Sequence, residues 1–196
     1  MPRPICSQCQ FLIQQCLCDH LSVVKSDIEL VIMQHPSEVG HAKNSVRLLP
    51  HLLDKVRIVV GETEQDFAQL KAELEAESRP IYLLYPSEQS VEASQVKHSQ
   101  QGILIVLDGT WRKALKLLKF NPWLLSFQSL HFSPQAPSRY RIRKASRIDS
   151  LSSLEAAAFG LQALQPQMDI KPILSAFDAM IEQQLVHMPE HVQARY

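Results

Sequence analysis

The sequence predicts an α/β protein built on a mostly parallel sheet. Two observations carry that prediction. Mostly apolar runs of strand length, "ELVIM", "VRIVV", "IYLLY" and "GILIVL", are separated by longer segments with helical apolar spacing. The chain has 196 residues, enough for one substantial core, whereas two full domains would each be small. Charged residues make up 20% and apolar ones 45%, the balance of a globular protein rather than a disordered or fibrous one.

Taken in order, residues 1–25 form a small lobe of their own, because they hold every cysteine. Cys6, Cys9, Cys16 and Cys18 are spaced C-x2-C-x6-C-x1-C, and four thiolates this close can wrap one tetrahedral zinc ion. A closed shell of four sulfurs leaves no position for substrate, so such a metal is structural. Redox-active thiols and an iron–sulfur centre are the alternatives the same residues leave open. Residues 26–196 form the main domain. "DIELVIMQH" reads as a buried strand, and "SVRLLPHLLDK" as a short helix that Pro50 kinks or ends. "VRIVV" is the next strand, and "TEQDFAQLKAELEAE" a helix capped by Thr63 with Asp66 in its first turn. "PIYLLYPSE" runs from strand into loop. "GILIVLDGTW" runs from strand into a basic helix that begins at Trp111, with Thr110 as its cap. "SPQAPS" is a loop, "RYRIRKASR" a strand, and "LSSLEAAAFGLQAL" and "ILSAFDAMIEQQLVHM" are two core-packing helices.

Several function classes drop out. The five glycines are too widely spaced for the dinucleotide fingerprint or the P-loop. The longest apolar runs are far short of the ~20 residues that span a bilayer, and the N-terminus lacks a signal-peptide core, so the expectation is a soluble, cytoplasmic protein with no obligate protein partner. Formal net charge is zero, but charge is segregated: residues 139–147 hold five cations and no acid. Arg139, Arg141 and Arg143 would share one face of an extended strand, with Lys144 beside them, an arrangement suited to phosphates as well as to solvent.

In open α/β sheets ligands sit at the carboxyl edge of the strands, which points to "YPSE" (Tyr85, Pro86, Ser87, Glu88) and "DGTW" (Asp108, Gly109, Thr110, Trp111). Read alone, Asp108 and Thr110 merely end a strand and cap a helix, and Trp111 belongs to the core. "HPSE" likewise follows a strand end, with Lys43 and Asn44 close behind, and His35 alone reads as a structural histidine. Ser152 and Glu155 form a capping box that needs no function.

In this order, "CSQCQFLIQQCLC", "QHPSE" with "KNSVRLL", "YPSE", "DGTWRKA", "YRIRK" and "LSSLEA" resemble the DTW-domain family over nearly the whole chain. The D-x-T-W core with the cysteine set upstream is the specific part. Ser45 and Ser153 stand where the family motif often has threonine, and His41 where arginine is common. The resemblance implies a SPOUT-like, knotted fold. It also implies transfer of the 3-amino-3-carboxypropyl group of S-adenosylmethionine to N3 of a tRNA uridine. Tyr85, Pro86, Ser87, Glu88, Asp108, Gly109, Thr110, Trp111, Ser153, Leu154, Glu155 and Ala156 would then face the cofactor, and His35, Lys43, Asn44, Arg112, Arg139, Arg141, Arg143 and Lys144 the RNA. Asp108 would accept the N3 proton or hold the cofactor. An ordinary aspartate is a feeble base for that proton, so placing the propyl methylene in line with N3 would carry much of the rate. An RNA methyltransferase and a non-catalytic RNA-binding zinc protein are the rival readings.

Overall fold

A computed structural model describes residues 4–41, 43–96, 101–132, 138–140 and 151–189. Six strands form one sheet: β1 (Ile28–Gln34), β2 (Val56–Val60), β3 (Ile81–Leu84), β4 (Val91–Glu92), β5 (Gly102–Asp108) and β6 (Gln128–His131), in the order β2-β1-β5-β3-β6-β4. Every pairing is parallel. The sheet is thus fully rather than mostly parallel. β5 lies between β1 and β3, and all seven of its residues are buried, which explains its unbroken apolar run.

Alternation along the central strands sorts two cores. Ile28, Leu30 and Ile32 of β1, with Leu104 and Val106 of β5, face one side. Val31 and Met33, with Ile103, Ile105 and Leu107, face the other. The first side is covered by α1 (Leu49–Leu52), α4 (Ser153–Leu164) and α5 (Lys171–Val186), the second by α2 (Ala68–Glu75) and α3 (Trp111–Phe120). Pro50 lies in the first turn of α1, where its missing N–H costs nothing.

Gly160 sets how closely α4 approaches the sheet. A methyl group there would come within 3.0 Å of Leu104 and 3.1 Å of Leu84. Ser153 lies seven residues earlier, on the same helical face and about two turns nearer the N-terminus of α4. Close packing at Gly160 therefore brings Ser153 to the sheet.

Two sequence expectations change. The helix expected from Thr63 starts at Ala68, because the Asp66 carboxylate accepts from the Thr63 N–H at 2.8 Å, the Glu62 N–H at 3.0 Å and the Thr63 hydroxyl at 2.9 Å, closing a turn instead. Strands β4 and β6 were not expected: they are short and only partly buried, so they carry little periodic signal. Most of "SPQAPS" and all of residues 141–150, including Arg141, Arg143 and Lys144, lie outside the described residues.

The cysteine lobe has no separate core. Cys9, Phe11 and Leu17 are buried in the same cluster as α4 and α5. The Arg47 guanidinium lies 3.7 Å from the centre of the Phe11 ring and donates to the Gln10 carbonyl at 2.9 Å, riveting the lobe to the main domain.

Candidate functional site

Parity along the strands decides what meets at the carboxyl edge. Gln34 and Asp108 are register partners at the last positions of β1 and β5. Both continue the alternation of Ile32 and Val106, so both point to the α4 side. There the Asp108 carboxylate accepts from Gln34 Nε2 at 2.7 Å through Oδ2 and from Ser153 Oγ at 2.6 Å through Oδ1. The Asp108 carbonyl also accepts from the His35 N–H at 3.1 Å. Asp108 is only 6% exposed and Gln34 only 4%. Hydrogen bonds to a buried carboxylate are worth roughly 1.5–3 kcal/mol each, so three chain segments converge to fix one charge in one place.

The turn after Asp108 is built for close approach. A side chain at Gly109 would put its Cβ 2.8 Å from that of Lys113. Thr110 caps α3, its hydroxyl accepting from the Lys113 N–H at 3.4 Å. Trp111 is 47% exposed, so the expectation that an aromatic at a helix start belongs to the core does not hold; its ring stands edge-on to Tyr85 with centroids 6.4 Å apart. Burial raises the Tyr85 phenol above its ordinary value. Pro86, Ser87 and Glu88 follow in an exposed loop. That loop is pinned by Ser90, whose hydroxyl donates to the Ser87 carbonyl at 2.7 Å and lies 2.9 Å from His131 Nδ1 at the end of β6.

Around Asp108 the other expected residues take different parts. His35 is buried, its Nδ1 accepting from the Ser37 N–H at 3.2 Å and its Nε2 3.0 Å from Glu62. Glu62 also pairs with Lys116, and chiefly that hydrogen bond holds its carboxyl below the usual range. Asn44 is buried too: its amide donates to the Glu38 carbonyl and accepts from the Val46 N–H, both at 2.9 Å. Leu154 is in the core, and buried Glu155 completes the α4 capping box while accepting from Ser138 Oγ at 2.6 Å and the Arg139 N–H at 2.7 Å. Arg139 itself reaches Asp178 at 2.6 Å, and the Lys43 carbonyl accepts from the Tyr140 hydroxyl. Arg112 is exposed. Gln34, Glu62 and His131 were missed in the sequence. Gln34 had a signal: an amide closing the strand face that Ile28, Leu30 and Ile32 make apolar.

The four cysteines form a second constellation, with their sulfurs all within 4.8 Å of one another. Cys6 and Cys18 sulfurs are 3.6 Å apart and those of Cys9 and Cys16 3.8 Å. A tetrahedron with zinc–sulfur bonds of about 2.3 Å has edges of about 3.8 Å, so the geometry fits. The Cys9 and Gln8 backbone N–H groups bring the Cys6 thiol down to about 6, whereas the hydrogen bond shared with Cys16 is the largest cause pushing Cys18 up to about 12. Four thiolates cannot share this space without a cation between them.

The family model of the DTW domain matches residues 3–185, which include the cysteine lobe, the Asp108 turn and α4. The chain belongs to the DTW-domain family. Among curated relatives of this DTW chain, a Drosophila melanogaster protein named tRNA-uridine aminocarboxypropyltransferase 2 is 28% identical over 88% of the chain and 71% of its own length. Proteins of the same name from Macaca fascicularis and Mus musculus are 26% and 25% identical over 94% of the chain. The chain spans 65% of the length of each of these two. Among the described residues of the DTW domain no helix is long and apolar enough to cross a membrane.

Proposed function

We propose that the protein transfers the 3-amino-3-carboxypropyl group of S-adenosylmethionine to N3 of a uridine in tRNA, on a SPOUT-like, knotted fold. The observation that carries the reading is the buried Asp108 carboxylate, held from both sides at the carboxyl edge of the central strand within a DTW domain. In the reaction N3 bonds to the methylene carbon beside the sulfonium, the carbon–sulfur electrons return to sulfur, and methylthioadenosine leaves. The N3 proton is lost. A fixed negative charge at this edge attracts the cationic donor, orients its aminocarboxypropyl chain and offers an acceptor for that proton.

Tyr85, Pro86, Ser87 and Glu88, with Gly109, Thr110 and Trp111, line the donor side. Ser153 orients Asp108, as does Gln34. Leu154, Glu155 and Ala156 contribute backbone at the start of α4, since the first two side chains are committed to core and cap. On the RNA side stand Arg112, Lys43 and Arg139, with Arg141, Arg143 and Lys144. His35 and Asn44 act there by holding the loop that carries Lys43. A structural zinc ion held by Cys6, Cys9, Cys16 and Cys18 fixes the lobe.

The test is mass spectrometry of nucleosides from tRNA incubated with the protein and S-adenosylmethionine. Uridine should gain an aminocarboxypropyl group. Gain of a methyl group, or tRNA binding with no modification, overturns the reading in favour of a methyltransferase or a non-catalytic RNA-binding protein.

A further inference from the structure

Helix α3 breaks two rules that a surface helix usually obeys. The N-terminus of a helix carries a partial positive charge and favours acids, yet the first turn of α3 has no acid and instead holds Arg112 and Lys113. Its outward face is not simply polar either: Leu115 is 41% exposed and Phe120 46%. Local rules broken in one place and satisfied elsewhere mark a functional surface.

At 100° per residue, Arg112, Leu115, Lys116, Lys119 and Phe120 lie within an arc of about 140°. Ala114, Leu117 and Leu118, the buried residues, lie opposite. The face therefore alternates cations with exposed apolar groups and has no acid in its ten residues. Among the described residues Lys113 is paired with Glu38 and Lys116 with Glu62, while Arg112 and Lys119 have no carboxylate partner. Arg112 and Lys119 are about 10 Å apart along the axis, far enough to meet two different phosphates of one strand. A solvated face needs no Leu and Phe among its cations, and a protein partner would be met by acids as well as bases.

Resting on the transfer reading above, we infer that the outer face of α3 is a track for the tRNA strand that flanks the target uridine. Arg112 and Lys119 take phosphates of one strand, and the exposed Phe120 ring, with Lys116 Nζ 5.5 Å from its centre, offers itself to an unstacked base. The helix starts three residues after Asp108, so a strand lying along it leads directly into the site.

The experiment measures tRNA affinity against salt for the wild-type chain, for R112Q/K119Q, and for K25Q/K55Q. The last pair removes two exposed cations from the segments entering β1 and β2, at the opposite edge of the sheet. Each phosphate contact contributes about 0.7 to the logarithmic salt slope of single-stranded RNA. R112Q/K119Q should thus lower the slope by about 1.4, making the loss of affinity between 50 and 200 mM salt about 7-fold smaller than in the wild type. Melting temperature and S-adenosylmethionine affinity should hold, and K25Q/K55Q should keep the wild-type slope. An unchanged slope in R112Q/K119Q, or an equal drop in K25Q/K55Q, overturns the track and leaves the transfer reading standing. A wild-type chain with no affinity for tRNA overturns both.

Discussion

Asp108→Asn keeps the shape of the side chain and removes its charge, so it separates holding the fold from serving the reaction. Asp108 accepts from two neutral donors at 2.7 and 2.6 Å. With an amide in its place, the Ser153 hydroxyl can rotate or the Gln34 amide can turn over, so that each new contact still pairs a donor with an acceptor. Two charge-assisted bonds, about 1.5–3 kcal/mol each, become two neutral ones of about 0.5–1.5. That loses roughly 2–3 kcal/mol, offset by no longer keeping an ion at 6% exposure, which costs several kcal/mol by itself. The net change should stay within about 2 kcal/mol, a melting shift of at most roughly 8 °C for a chain of this size. Transfer should fall at least ~100-fold, the usual cost of a lost general base. The assay pairs turnover on tRNA with calorimetric binding of S-adenosylmethionine. A loss confined to turnover assigns Asp108 to the proton; weakened binding assigns it to the donor. Near-wild-type turnover with normal binding would refute the mechanism and leave Asp108 a strand terminator.

Gln34→Leu should cost about 1.5–3 kcal/mol, read by denaturant unfolding, because it strips a donor from a buried charge; in the Asp108→Asn background the cost should shrink by at least about 1 kcal/mol, and an equal cost in both backgrounds would deny the coupling. The wild-type chain should carry about one zinc, and Cys9→Ser should lose it together with part of its thermal stability; a stable, metal-free wild type would contradict the lobe assignment. Arg79 brings the Glu77 carboxyl down to about 2 by donating to it in a 2.6 Å ion pair. A depressed carboxyl contributes stability that is present above its ordinary 4.5 and lost as pH falls toward 2. Thermal melts of Glu77→Gln should therefore show a shallower decline across that window than the wild type, and parallel declines would count against the pair.

The parts of the fold legible in the sequence are those where burial is continuous. β1 and β5 read directly because both faces of each are covered, and the register that pairs Gln34 with Asp108 follows once β1 and β5 are neighbours. That neighbourhood itself was not legible, since 74 residues separate the two. Thr63 and Asp66 misled because the same residue types cap helices and close turns, and only the direction of the hydrogen bonds distinguishes them. The turn at Asp108 and the capping box of α4 were visible as local patterns. Their meeting was not, because it depends on Gly160 drawing α4 down onto the sheet.

That meeting has a consequence for how the chain matures. Gln34, Asp108 and Ser153 are separated by 74 and 45 residues, and nothing local brings any two of them together. A fully parallel sheet closes long loops before its contacts reward the closure, so chains of this topology fold slowly and condense late. A fragment that lacks β1 or α4 lacks the Gln34 or the Ser153 hydrogen bond to Asp108. During synthesis the Ser153 bond to Asp108 waits for α4, which emerges after the six strands of the sheet.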